Sequence, residues 1–228
     1  MTVDGGEACT YAGANGDDVG ARLFTPEADD ANGRALVLLP DLAGPDGAAL
    51  AGRLAAAGFV CLLPDLWSRE GAPPTADDAW EREAALPDRR ALADVDRAVR
   101  LLEARDDVDR RAVGVLGLGT GGTLAFLSGC TSRDVAAVAA VGGRALYPEL
   151  SPNKPTQPLE LLLNLDLPLL ALVGEADPAL PAEHLELWRQ KLDAGGKDHD
   201  LVVYPGAAPL ALEHDAFERV TAFFEERL

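Results

Sequence analysis

Short apolar runs recur along the chain, each followed by a turn and then by a stretch with helical spacing. The runs at 35–39, 59–63, 112–116, 135–141, 167–173 and 200–204 are apolar with little alternation, as strands buried on both faces require. Helices are predicted over 47–57, 88–105, 119–129, 181–194 and 213–228. In 88–105, Leu92, Val95, Val99 and Leu102 make one apolar stripe. Ahead of these units, 8–13 and 19–25 read as a hairpin around Asn15-Gly16-Asp17. Two stretches break the rhythm. Residues 68–87 read as a polar, proline-rich loop, and 145–166, with Pro148, Pro152, Pro155 and Pro158, as an inserted loop over one strand end. Alternating strands and helices predict a mostly parallel, doubly wound α/β sheet with helices on both faces. No repeat or linker divides the chain, so one domain over 1–228 is expected. Ligands of such sheets bind at the carboxyl ends of the strands, so the loops after Leu39, Leu63, Leu116, Val173 and Tyr204 should line a site.

Composition narrows the partners. Thirty-eight acidic residues against 20 basic ones give a net charge of −18, which disfavours nucleic acid and anionic membranes. No run approaches a membrane span, and residues 1–10 lack the basic and apolar parts of a secretory leader, so a cytoplasmic protein is expected. Cys9, Cys61 and Cys130 are far apart, form no ligand spacing with histidine, and predict neither a disulfide nor a metal site.

The candidate chemistry lies in Val113-Gly-Val-Leu-Gly-Leu-Gly-Thr-Gly-Gly-Thr-Leu-Ala125, a strand, a tight turn and a helix start. One reading is a nucleophile elbow, with Gly117 and Gly121 as the small residues and Gly119 at the centre. The other is a dinucleotide fingerprint, since Gly117, Gly119 and Gly122 satisfy G-x-G-x-x-G and Arg144 could meet the 2′-phosphate of NADP. Against the fingerprint, at least two parallel strands precede the motif, and Gly142-Gly143-Arg144 stands where an acid would be expected.

With these residues in view, the chain resembles the dienelactone hydrolase family over essentially its whole length. Leu-Leu-Pro-Asp-Leu-Ala-Gly at 38–44 and Gly-Phe-Val-Cys-Leu-Leu-Pro-Asp-Leu-Trp at 58–67 are similar to its third and fourth strands with their loops. The glycines at 117–122 resemble its G-x-C-x-G-G elbow, Val-Gly-Glu-Ala-Asp-Pro at 173–178 its acid loop, and Val-Tyr-Pro-Gly-Ala at 203–207 the approach to its histidine. The resemblance implies an α/β-hydrolase fold, no cofactor, and a triad of cysteine or serine, aspartate and histidine. Carried across, the triad becomes Gly119, Asp177 and Pro209. Glycine has no atom with which to attack, and proline exchanges no proton. Backbone N–H groups of Leu42 and Thr120 would form the oxyanion hole. Asp41 stands where the family often has a glutamate, and Trp67 and Arg69 follow the fourth strand, where a carboxylated substrate would lie.

Substitutes for the missing groups are few. Thr120 would point away from the elbow, and Cys130, eleven residues on, lies about 16 Å down the helix. Cys61 sits inside an apolar run, His184 falls on a helix, and His199 precedes a strand. His214, at the start of the last helix, is the one candidate base, to be combined with Asp41 or Asp177. Asp177 also suits a turn or helix cap. The expectation is a family member without ordinary hydrolytic activity that keeps a pocket for a small molecule such as a carboxylate. The alternatives are an ester or lactone hydrolase with non-standard residues, and an NADP-dependent enzyme.

Overall fold

The structure is a computed structural model that describes residues 6–42, 47–67, 69, 79–207 and 212–228. Its strands are β1 (Glu7–Ala12), β2 (Asp18–Phe24), β3 (Ala35–Leu39), β4 (Val60–Pro64), β5 (Val113–Leu118), β6 (Ala137–Val141), β7 (Leu169–Gly174) and β8 (His199–Tyr204). They form one sheet in the order β1-β2-β4-β3-β5-β6-β7-β8. The β1–β2 hairpin is antiparallel and joins β4 antiparallel, while all other neighbours are parallel. The helices are α1 (Ala48–Ala56), α2 (Ala79–Ala85), α3 (Asp88–Glu103), α4 (Thr120–Thr131), α5 (Ala182–Ala194) and α6 (His214–Arg227).

The non-alternating runs behave as two-faced strands should. In β3, Ala35, Val37 and Leu39 join one core with residues of α3, α4 and α5, while Leu36 and Leu38 join a second core with α1 and α6. All five are buried. The expected doubly wound sheet, covered on both faces, is what forms.

The two irregular stretches differ from expectation. The loop expected over 68–87 contains α2, and its residues 68 and 70–78 lie outside those described. Nearby prolines obscured a seven-residue helix too short to form alone, which stands because Glu83 binds Arg144 and Trp80 packs on Tyr147. The expected loop at 145–166 is likewise not structureless. A 3-10 turn at Pro158–Asn164 drives Leu159, Leu162 and Leu165 into the core beside Phe126 and Trp188, which meet edge-on at 5.2 Å. Helix α3 also departs from its apolar stripe, because Asp94 is fully buried on it.

Candidate active site

Everything around the elbow follows from the crowding at the end of β5. A Cβ on Gly117 would lie 1.9 Å from the Gly121 carbonyl oxygen, and one on Gly121 would lie 2.0 Å from that of Leu39. The backbones of β5, β3 and α4 therefore touch directly, which only glycine permits at these points. Between them Gly119 adopts φ 52° and ψ −118°, in the half of conformational space that side chains avoid. Its N–H donates to the Val141 carbonyl at 2.8 Å, fixing the bend against the end of β6.

The position a residue-119 side chain would need is already filled. A Cβ built on Gly119 falls 2.3 Å from Asp41 Cγ and 2.4 and 2.8 Å from its two carboxylate oxygens. Asp41 Oδ1 accepts the Thr120 N–H at 3.2 Å. A carboxylate supplied by the chain itself thus sits at the N-terminus of α4, where backbone donors and the helix dipole favour an anion. This corrects two expectations. The Thr120 N–H is engaged by Asp41 rather than held open for an oxyanion, and the elbow cannot receive a small anion or a pyrophosphate while Asp41 stands there. The fingerprint spacing of Gly117, Gly119 and Gly122 has a packing cause instead, for a Cβ on Gly122 would meet the Gly142 carbonyl at 2.6 Å.

Asp177, beyond the end of β7, reaches the same place. It is 7% exposed, and its Oδ1 accepts the Ala179 N–H at 2.8 Å, closing a turn. Its Oδ2 lies 3.2 Å from the Cβ position of Gly142, which in turn lies 3.9 Å from Gly119 Cα. Asp41, Gly119 and Asp177 therefore converge. Pro209 lies outside the described residues, as do residues 43–46 after Leu42, itself half-buried in the turn that follows Asp41. Ala207 is pinned beside the acid loop, its carbonyl accepting the Ala176 N–H at 3.0 Å.

Trp67 and Arg69 part company. Trp67 is half-buried and lines a cavity of about 380 Å³ together with Asp41, Gly47, Leu63 and Asp65. Arg69 turns the other way. Its Nη1 binds Asp17 at 2.6 Å and its Nη2 binds the buried Asp94, which also accepts the Ala14 N–H at 2.7 Å. The guanidinium joins the hairpin turn to α3 and is not offered to a substrate.

A group that the sequence did not bring together lies beyond the end of β6. Arg144 follows Gly142-Gly143, donates its N–H to Thr123 Oγ1 at 2.8 Å, and its Nε to Glu83 Oε2 at 3.1 Å. Its guanidinium lies over the Trp80 ring, 5.1 Å from the centroid. Burial pushes the Glu83 carboxyl above its ordinary range, an effect the Arg144 charge partly offsets. Beyond it, Lys154 is 1% exposed and binds Asp88 at 2.6 Å, and the Tyr147 hydroxyl donates to the same carboxylate at 3.0 Å. A lysine inside a proline-rich insert, in a chain with only three, was the one signal in the sequence.

Among the described side chains, the buried thiols, His184 and His199 offer no substitute nucleophile or base at the elbow. Burial raises the thiols of Cys61 and Cys130, the latter to about 12. His199 opens β8 at the opposite end of the sheet, its Nδ1 against the Lys197 carbonyl at 2.8 Å. His184 lies on α5 with a buried Nδ1 that has no partner among the described residues. His214 opens α6, and its side chain is not among those described. No group of three or more His, Cys, Asp or Glu among the described residues could hold a metal ion, and no helix among them is long and apolar enough to cross a membrane.

With this geometry set out, comparison with known proteins decides the family. The model of the dienelactone hydrolase family matches residues 19–226. The chain belongs to the dienelactone hydrolase family. A relative from Bradyrhizobium sp, named "Probable 2-oxo-3-(5-oxofuran-2-ylidene)propanoate lactonase", is 35% identical over 175 residues, 74% of this chain and 69% of that one. The crystal structure of a "Putative Dienelactone Hydrolase" from Klebsiella pneumoniae superposes with a TM-score of 0.84 at 26% identity, covering 96% of this chain and 98% of its own. A dienelactone hydrolase-like promiscuous phosphotriesterase from metagenomic libraries shares the fold, with a TM-score of 0.71 at 19% identity over 97% and 98% of the two chains. The eight-stranded sheet with its glycine elbow is thus the α/β-hydrolase fold of this family.

Proposed function

We propose that this dienelactone hydrolase relative does not carry out covalent ester or lactone hydrolysis, and that its strand-end site binds a small organic acid without cleaving it. One observation carries the reading: the carboxylate of Asp41 stands where a nucleophile on residue 119 would begin, and takes the N–H of Thr120. Removing a triad serine or histidine costs about 10⁶ in kcat, which from a typical ~10 s⁻¹ leaves about 10⁻⁵ s⁻¹. Residue 119 is glycine and residue 209 proline. The Bradyrhizobium relative's name describes a lactone that carries a carboxylate, so a compound of that kind is the ligand class this reading favours. Initial-rate assays with p-nitrophenyl acetate and a small enol lactone test the first half. Rates indistinguishable from those of Asp177→Ala are expected, and turnover near 1 s⁻¹ lost in that variant would end the reading.

The convergence of Asp41 and Asp177 on Gly119 favours a second reading, a hydrolase driven by carboxylates. It requires turnover abolished by either Asp41→Asn or Asp177→Asn alone.

A further inference from the structure

We propose that the free edge of β8 pairs with the same edge of a second copy of this chain, antiparallel about a two-fold axis through Leu201, so that the sheets of the two copies run on as one.

β8 closes the sheet and has only β7 beside it. Leu169 stands in register with His199, its N–H donates to the Asp198 carbonyl at 3.0 Å, and the Glu175 N–H donates to that of Tyr204 at 2.9 Å. In a parallel ladder this turns the backbone groups of Asp198, Asp200, Val202 and Tyr204 toward β7 and those of His199, Leu201 and Val203 outward. No other strand among the described residues meets them. The outward strip has definite ends. The Lys197 N–H donates to the Leu192 carbonyl at 3.2 Å, and Pro205 has no N–H to offer. Leu201 is therefore its midpoint.

The side chains set this edge apart from the other. β1, at the far edge, exposes Glu7, Ala8, Thr10 and Ala12 and buries only Tyr11. In β8, Leu201, Val202, Val203 and Tyr204 follow one another, and every one is only half-buried. Leu201 and Val203 lie against one core and Val202 and Tyr204 against the other, so the strand is apolar and partly open on both faces. Edges that stay solitary are blunted by a lysine, a proline or a bulge within the strand, and β8 has none of these. Its one carboxylate, Asp200, lies near its start.

A second copy matches the strip by symmetry. Pairing centred on Leu201 sets His199 opposite the second copy's Val203 and satisfies every outward N–H and C=O of both strands. It sets Asp200 opposite Val202 and Asp198 opposite Tyr204, so no carboxylate faces a carboxylate. That complementarity counts in a chain of net charge −18. Sliding one copy by a single pleat toward the strand start would set Asp200 against itself and leave Val203 facing Lys197, whose N–H is taken.

Sedimentation velocity from about 1 to 100 µM in ~0.15 M NaCl tests this, with the wild type expected to pass from mostly monomer to mostly dimer. Leu201→Asp and Leu201→Lys each place like charges on the axis and should weaken association at least roughly tenfold. Mixing the two variants in equal amounts should restore the dimer, because opposite charges then meet, whereas a strip that docks on a different surface gives no such recovery. Leu201 also touches the core, so amide hydrogen exchange of the wild type is followed as a measurement free of substitution. The Leu201 and Val203 N–H groups should exchange at least about tenfold more slowly at the upper concentration than at the lower. A wild type that stays monomeric, a dimer indifferent to either substitution, folded variants that do not recover on mixing, or exchange at Leu201 and Val203 that ignores concentration overturns the pairing.

Discussion

Replacing Gly119 by alanine adds one carbon at the point where Asp41 Cγ would be only 2.3 Å away. The carboxylate must leave, and it takes with it the hydrogen bond to the Thr120 N–H. A hydrogen bond to a charged group is worth about 1.5–3 kcal/mol. Holding a non-glycine residue at the φ of 52° seen here adds a separate backbone cost, about 1–2 kcal/mol for left-handed geometry. Gly119→Ala should therefore destabilise the protein by about 2.5–5 kcal/mol, or roughly 5–20 °C in Tm at about 2–4 °C per kcal/mol for a chain of this size. In an Asp41→Ala background only the backbone cost remains, about 1–2 kcal/mol. Urea unfolding of wild type, both single variants and the double variant gives the coupling directly, and about 1.5–3 kcal/mol is expected. Coupling below about 0.5 kcal/mol, the ordinary scatter of independent sites, would show that Asp41 does not fill the elbow.

Other outcomes follow from the buried charges. Lys154→Met leaves Asp88 buried with only the Tyr147 hydroxyl, so a loss of about 3–5 kcal/mol in denaturant unfolding is expected, with much of it recovered by adding Asp88→Asn. Arg69→Met strands the buried Asp94 carboxylate, so a loss of about 3–5 kcal/mol in denaturant unfolding is expected, and a loss below about 0.5 kcal/mol would contradict the buried pair. The Glu83 carboxyl keeps its proton to a higher pH when folded than its ordinary 4.5, so from 4.5 upward the folded state binds the extra proton and stability falls as pH rises. Glu83→Gln should flatten that decline in urea titrations at pH 4 to 7, and an unchanged slope would contradict it.

The sheet was legible because its strands are buried on both faces, so that Leu36 and Val37 can both be apolar while facing different cores. The elbow was legible because glycine spacing reports backbone contact, which the Gly117–Gly121 approach makes explicit. Charge placement was not. Asp41 was visible as a residue near the elbow, but only three-dimensional packing shows that its carboxylate replaces the missing side chain. Arg69 was expected at a substrate because of its place after β4, and its partners Asp17 and Asp94 lie 52 and 25 residues away in the chain. Helix α2 and the Lys154–Asp88 pair were hidden for a related reason, since a seven-residue helix and a buried lysine exist only through contacts with distant segments.

The account stands or falls on the absence of an attacking side chain at the strand tip, and the burst of p-nitrophenol released on mixing with p-nitrophenyl acetate measures that most directly. A protein that forms an acyl intermediate releases close to one equivalent before the steady state. No saturable burst is expected here, and no acetyl group on any residue of the elbow by intact-mass and peptide analysis. A stoichiometric burst, with acetyl recovered on Thr120 or Asp41, would contradict the account.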